Sequence, residues 1–236
     1  MIPLKIDAPV LRRPRVVWTL LAVNLVVFLW QTGLPGREAS VMVAQYALIP
    51  LRYAEPGWAL SVGLDPFDYR PLLTNTFMHG GWLHLIFNMW TLWLFGGAVE
   101  DRMGKLRFTL LYVLCGVLAS WAHMAVYADS RVPVLGASGA VAAVMGAHIT
   151  LFPRSRVLLL VPIFFIPLFF PASAWLYAAV WFGLQLFQGA GDLWQPDLGG
   201  GVAWWAHIGG FVAGLATVRF LAPPDPLERW EERHPG

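Results

Sequence analysis

Residues 79–104 read HGGWLHLIFNMWTLWLFGGAVEDRMG, and the nature of this run governs how its neighbours are read. It opens on glycines and continues through apolar and aromatic side chains for about the 20 residues that a helix needs to cross a hydrocarbon core about 30 Å thick. It closes on the charged cluster Glu100, Asp101 and Arg102. Inside it stand His84 and Asn88, four apart and therefore on one helix face. A polar group at that depth is costly and calls for a partner or a task.

Composition extends the membrane reading to the whole chain. Its 236 residues are 58% hydrophobic and only 13% charged, with a mean hydropathy of +0.59. A soluble chain is roughly one quarter charged, so there is too little charge here to cover a water-facing surface. The net charge of +2 gives nucleic acid no electrostatic purchase. The single cysteine, Cys115, cannot form an intramolecular disulfide and reads as a buried, inert thiol. The expected class is an all-α polytopic membrane protein.

Apolar runs between charge clusters give six spans, at about 16–30, 81–99, 108–127, 138–152, 172–187 and 203–221. The fourth is short. Between it and the fifth, 157–170 is apolar but interrupted by Pro162 and Pro167, with Pro171 just after it, and reads as a loop or interfacial segment. The organisation expected is a cytoplasmic N-terminal segment 1–15, a six-helix membrane domain 16–221 and a charged, proline-rich cytoplasmic tail 222–236. The basic start before the first span resembles a signal peptide, but no small-x-small cleavage site follows Trp30, so a retained anchor is expected. With the N-terminus inside and six alternating helices, only Arg37, Arg52, Arg70 and Arg131 fall on the outer side. This positive-inside bias places both termini in the cytoplasm. The absence of an organelle-type presequence makes a bacterial inner (plasma) membrane the expected location. The outer segment 32–71 reads as a structured loop at the interface, and 129–134 and 189–201 read as the outer rim, the latter with a glycine-rich cap.

Four polar residues then fall at one depth. His84 and Asn88 lie in the outer half of the second span, Ser138 at the start of the fourth, and His207 near the outer end of the sixth. Ser138, Ala142 and Gly146 recur every four residues, as do Ala206, Gly210 and Gly214, giving two small-residue faces suited to close helix packing. That packing brings Ser138 and His207 within hydrogen-bond reach. A serine hydroxyl needs a neighbouring base to become a nucleophile, and an imidazole suits that task. His84, Asn88 and the Ser138 backbone N–H are donors for a developing oxyanion. Gly136 and Gly139 leave the serine accessible to substrate. No aspartate lies in a span, so the arrangement reads as a dyad. Taken singly, each feature also has a structural reading: a GxSG run is common at helix interfaces, and an intramembrane histidine is commonly a helix link.

Three pieces in order, HGGWLHLIFNMWTLWLFGGAVEDRMG, GASGAVAAVMGA and AHIGGFVAGL, resemble the rhomboid family of intramembrane serine proteases. The resemblance implies a six-helix bundle whose short fourth helix lifts the serine into a water-filled cavity open to the outer face. It implies Ser138 as nucleophile, His207 as general base and His84 with Asn88 in the oxyanion hole. It also implies substrate access between the second and fifth helices. His79 matches a family histidine in a supporting role, and Glu100 with Arg102 an acidic-x-basic element that holds the inner end together. Tyr69-Arg70 stands where the family has a Trp-Arg pair, and Ala142 where some members have a tyrosine stacked on the catalytic histidine.

The reaction expected is hydrolysis of a peptide bond in or near a transmembrane segment of another membrane protein. The partners expected are such segments and the lipid bilayer, without nucleic acid, cofactor or metal. A metal site on His79 and His84 is disfavoured because a five-residue spacing points them to different helix faces. His123 and His148 read as structural hydrogen-bonding groups. An inactive rhomboid-like binder of transmembrane helices and, behind it, a small-solute transporter are the alternatives. The transporter calls for inverted repeats and mid-span charges, which the sequence does not display. Substrate identity and oligomeric state are not encoded in these features.

Overall fold

The computed structural model describes residues 1–163, 166–194 and 202–224. Helices dominate. In chain order the elements are β1 (Ile2–Ile6), α1 (Arg15–Gly33), α2 (Gly36–Tyr46), α3 (Leu51–Ala54), α4 (Pro56–Ser61), α5 (Pro71–Thr74), a 3-10 turn (Asn75–Phe77), α6 (Trp82–Met103), α7 (Lys105–Val126), α8 (Ser138–Leu151), β2 (Arg156–Ile163), β3 (Ile166–Ser173), α9 (Ala174–Trp194) and α10 (Trp204–Leu221). Among the described residues α1, α6 and α7 are long and apolar enough to cross a membrane, and α8 is a shorter apolar helix. The six apolar runs expected as spans fall in order on α1, α6, α7, α8, α9 and α10.

The core forms where α6, α7, α8 and α10 meet. Phe95, Phe108, Leu111, Tyr112, Val144 and Met145 are all but fully buried there. The buried Ala140, Ala143 and Ala147 bring α8 into the middle of the bundle. Eleven of its 14 residues are buried, so it is sheathed by protein instead of lipid.

Glu100 shows how the far end of the bundle is fastened. Pro14 precedes α1 without a capping side chain, and the first N–H groups of any helix lack partners within it. The buried Glu100 carboxylate supplies them from α6, accepting from Val16 N at 3.0 Å and Val17 N at 2.8 Å. Its negative charge also sits at the positive end of the helix dipole. Asp101 accepts from Leu11 N at 2.7 Å, and Arg102 occupies the last turn of α6.

The segment 157–170, expected as a loop or interfacial stretch, is instead most of a β-hairpin. β2 and β3 pair antiparallel from Arg156↔Ser173 to Ile163↔Ile166, and β1 adds to the other side of β2, giving the order β1-β2-β3. The prolines forbid a helix but permit these positions. Pro167 and Pro171 lie on the edge strand, and Pro162 lies beyond Leu160, the last residue of β2 paired to β1, where a missing N–H breaks no ladder bond. The sidedness is that of a strand: Val157 and Leu159 are buried and Leu158 is exposed. The sheet links α6 to α9, with Trp90 Nε1 donating to Pro3 O at 2.7 Å. Residues 1–15, expected only as a cytoplasmic segment, thus contribute a strand.

α9 begins at Ala174 and extends to Trp194, so 189–194, expected as part of a loop, is helical. The rest of the expected glycine-rich cap, 195–201, and the tail from 225 lie outside the described residues.

The segment 32–71, expected as a structured loop on the outer side, is built from α2, α3, α4 and the start of α5. Arg52 is buried and donates to Asp65 O at 2.8 Å and to Asp68 Oδ2 at 3.2 Å. Arg70 forks onto the same carboxylate at 2.8 and 2.9 Å. These guanidinium contacts, led by the Arg70 hydrogen bonds, hold the Asp68 carboxyl below the usual carboxylate range, at about 2. A carboxyl whose pKa is lowered in the folded state stabilises fully above its ordinary value and loses that contribution as pH falls through the lowered one.

Two outcomes are expected. Amide exchange of 45–74 stays protected from neutral pH down to about 4 and rises as pH falls toward 2, whereas Asp68→Asn exchanges faster throughout. Glu100→Ala strands two N–H groups and lowers stability by about 2 kcal/mol or more, read as a fall in thermal unfolding midpoint in detergent. Glu100→Gln, which keeps one carbonyl acceptor, falls less.

Candidate functional site

The two expected partners are in contact. Ser138 is the first residue of α8 and His207 lies in the first turn of α10, with Ser138 Oγ 2.7 Å from His207 Nε2. Backbone proximity makes this possible. A Cβ on Gly210 would fall on the Gly139 backbone, one on Gly214 on the Ala143 backbone, and one on Gly146 at 2.5 Å from Phe211 O. The face of α8 that meets α10 is thus Gly139, Ala143 and Gly146: Gly146, Gly210 and Gly214 stand in the seam as expected, while Gly139 and Ala143 take the places expected for Ser138 and Ala142. Ser138, Gly139 and Ala142 line a cavity of about 880 Å³.

The loop before Ser138 is fixed on both sides. Leu48 and Val134 exchange backbone hydrogen bonds at 3.0 and 2.7 Å, and Gly136 N donates to Asn75 O at 2.9 Å. Asn75 is held in turn, its Nδ2 donating to Pro71 O and, at 3.0 Å, to Ser120 Oγ on α7. Gly136 adopts φ +136°, in the region that favours glycine. A Cβ there would meet the His84 ring at 2.7 Å, so glycine is required twice over.

His84 and Asn88 both line the cavity with Ser138 and His207. Gly80 N approaches His84 Nδ1 at 3.5 Å, an arrangement that makes Nδ1 the acceptor and leaves Nε2, beside Gly136, with the proton. Asn88 is buried, and its Nδ2 has no hydrogen-bond partner among the described residues. The Ser138 N–H, at the first position of a helix, has no acceptor within it. Three donors thus accompany the serine hydroxyl and the imidazole.

The other expected residues divide into two groups. His79 is buried against His84, ring centroids 5.1 Å apart, and its backbone exchanges hydrogen bonds with Gln31 at 2.9 and 3.3 Å. It supports the site from behind. Tyr69 and Arg70 do not line the cavity: Tyr69 stacks on Tyr53 at 5.7 Å and Arg70 binds Asp68. Glu100 and Arg102 lie at the opposite end of α6. His148 is buried, with Nε2 3.1 Å from Ser155 Oγ, and His123 is buried beside Tyr127.

Two features were not foreseen. Gln185, buried on α9, places Oε1 2.7 Å from His207 Nδ1. Its sequence signal was a lone amide within the apolar run AWLYAAVWFGLQLF, which deserved the same question as His84 and Asn88. Trp181 and Trp204 flank the imidazole at 6.1 and 6.0 Å. With Ala142 in place of a stacking ring, the aromatic neighbours of His207 come from α9 and from its own helix.

A serine and an imidazole in hydrogen-bond contact at the mouth of a short, protein-sheathed helix define a class of helical membrane protein. Residues 66–224 match the Rhomboid domain, and the chain belongs to the rhomboid family. With its apolar helices it is an integral membrane protein. It is 30% identical over 159 residues to human "Presenilin-associated rhomboid-like protein, mitochondrial", covering 64% of this chain and 37% of the relative. It is 40% identical over 80 residues to "Rhomboid protease GluP" of Bacillus subtilis (strain 168), covering 34% of this chain and 15% of that one. Against "RHOMBOID-like protein 6, mitochondrial" of Arabidopsis thaliana it is 26% identical over 220 residues, 85% of this chain and 63% of the relative. The matched region spans little more than a third of the human relative's length. Because two of these names are mitochondrial and one is from a bacterium, the expected bacterial inner membrane rests on composition alone.

The helix contact generates a test. Gly210→Ala is expected to lower the thermal unfolding midpoint and to abolish the reactivity of Ser138 toward a fluorophosphonate. Gly183→Ala on α9, where a Cβ would meet nothing within 4 Å, is expected to leave both intact.

Proposed function

We propose that the protein is an intramembrane serine endopeptidase that cleaves peptide bonds in or near transmembrane segments of other membrane proteins. The observation that carries the reading is the 2.7 Å contact between Ser138 Oγ and His207 Nε2 at the edge of a cavity large enough for an extended peptide. Six helices, α1 and α6 to α10, cross the bilayer with both termini on the inner side, and the cavity opens toward the outer face. The distribution of basic residues supports that orientation.

In the proposed reaction His207 takes the Ser138 proton as Oγ attacks the scissile carbonyl. The negative charge that develops on the carbonyl oxygen is met by Asn88 Nδ2, His84 Nε2–H and the Ser138 N–H. Asn88 Nδ2 suits this role because it is buried and has no other hydrogen-bond partner among the described residues, and such preorganised donors act most strongly where water is excluded. The imidazolium then protonates the leaving amine, and the C–N bond breaks to leave an acyl-enzyme. Water, deprotonated by the same imidazole, hydrolyses the ester and returns the proton to Ser138. Ala142 and Met145 on α8 and Tyr177 on α9 give the cavity an apolar wall beside the serine, which suits the side chains of a transmembrane segment.

Labelling with a fluorophosphonate needs no knowledge of the substrate. Purified wild type in detergent is expected to label at one serine, with labelling lost in Ser138→Ala and His207→Ala. Asn88→Ala is expected to keep the nucleophile and lose on the order of 100-fold in peptide turnover. A folded wild type that does not label, beside a relative that does, would assign the protein to the non-cleaving binders of transmembrane helices.

A further inference from the structure

The base is held from a helix other than its own. His207 stands on α10, and the atom that meets its Nδ1 is Oε1 of Gln185 on α9, at 2.7 Å. The direction of this bond follows from the amide. Gln185 Nε2 lies 3.4 Å from Trp181 O, and a carbonyl oxygen accepts only, so the NH2 faces Trp181 and the oxygen faces the imidazole. An oxygen there can only accept. The proton of a neutral His207 is therefore on Nδ1, and the lone pair is on Nε2, the nitrogen that meets Ser138 Oγ. The chain of donors is complete: Ser138 O–H to His207 Nε2, His207 Nδ1–H to Gln185 Oε1, Gln185 N–H to Trp181 O.

We infer that Gln185 is a positioning residue that selects the Nδ1-protonated tautomer of His207 and aims its Nε2 at Ser138, the task a carboxylate performs in a full triad. The inference rests on the proposed serine chemistry and adds a third member to it. The alternative tautomer would have Nε2–H donate to Ser138 Oγ, which leaves the hydroxyl without a base, and would set Nδ1 and Oε1 against each other as two facing acceptors. The second is a poor arrangement so close to the buried Gln185. Unlike a carboxylate, the amide carries no charge, so its contribution is orientation and a hydrogen bond to the imidazolium. The partner also belongs to α9. Packing α9 onto α10 through Trp181, Phe182 and Phe211, with ring centroids 5.9 and 4.9 Å apart, therefore sets the base as well as the cavity wall.

Two substitutions and two readouts test this. Gln185→Met keeps length and volume but removes the acceptor, and Gln185→Glu keeps an acceptor toward Nδ1. Gln185→Met is expected to slow fluorophosphonate labelling of Ser138 on the order of tenfold or more, a share of the whole effect of a general base. It should also lower kcat for a membrane substrate more than it changes KM. Gln185→Glu is expected to recover most of the loss. The second readout is independent of activity: the ¹⁵N shifts of His207 in the wild type should report a single Nδ1-protonated tautomer, and in Gln185→Met a mixture. Equal labelling rates for wild type and a folded Gln185→Met, or an Nε2-protonated His207 in the wild type, would overturn the inference. If Gln185→Met does not fold, an Nδ1-protonated wild type and an active Gln185→Glu still support it, and an inactive, folded Gln185→Glu counts against it. Absence of labelling in the wild type itself would instead overturn the proposed protease reading, and the ¹⁵N measurement would still decide the hydrogen bond.

Discussion

The contact between α8 and α10 carries the rest of the architecture. Lipid tails are as apolar as leucine, so burying apolar surface drives helices together weakly in a bilayer, and association relies on van der Waals fit and hydrogen bonds. Gly139, Ala143 and Gly146 against Gly210 and Gly214 allow main chain to meet main chain. At that separation a serine and a histidine, each in the first turn of its own helix, span the gap with their short side chains and leave 2.7 Å between them. Larger residues in the seam would leave both side chains in place on their helices and too far apart for a hydrogen bond. α7 closes the back of the pair, where Gly139 faces Ala119 and Gly209 faces Ala122.

Several polar groups that fasten the fold are satisfied: Glu100 by two backbone N–H groups, Asn75 by Pro71 and Ser120, and the His79 backbone by Gln31. Others are not: among the described residues Asn88 Nδ2, both ring nitrogens of His79 and Nδ1 of His123 are buried without a hydrogen-bond partner. Of these Asn88 lines the cavity, where the N–H of Ser138 is a helix-start donor. In a medium where an unmet donor is costly, donors gathered around one hydroxyl amount to a site waiting for an acceptor. The cost is borne by the helices behind, whose buried apolar contacts and satisfied polar groups fix the geometry.

Much of this was legible in the sequence, because the signals were local and periodic. Membrane-length apolar runs announce helices, polar residues within them stand out, and small residues at four-residue spacing announce a seam. In the seam Gly146, Gly210 and Gly214 fall where the spacing put them, whereas Gly139 and Ala143 stand one position on from the expected Ser138 and Ala142, since adjacent small residues are not told apart by spacing alone. The sheet was illegible for a different reason. β2 and β3 are apolar runs broken by prolines, which exclude a helix but do not separate a strand from a loop, and their third strand lies about 150 residues away at Ile2–Ile6. Gln185 was visible as an oddity, but its meaning depends on how α9 rotates against α10, which no local pattern encodes. The partner of Arg70 was not legible either: the fold uses it to hold Asp68 within the segment 32–71.

The helices that meet at the site are fastened by unlike means, and the difference divides the molecule. α8 and α10 are joined by backbone contacts that leave no slack, because a seam without side chains has nothing to rearrange. α9 meets α10 through large side chains: Trp181 and Phe182 on Phe211, Trp204 over Gly189, and the single hydrogen bond from His207 to Gln185. Side chains can change rotamer where backbone cannot yield, so displacement along this face is opposed by less than displacement along the other. Ser138 and the nitrogen of His207 it meets belong to the backbone seam, while the far nitrogen of His207 belongs to the side-chain one. A histidine placed across the two joins the fixed geometry of the serine to the position of the helix that walls the cavity.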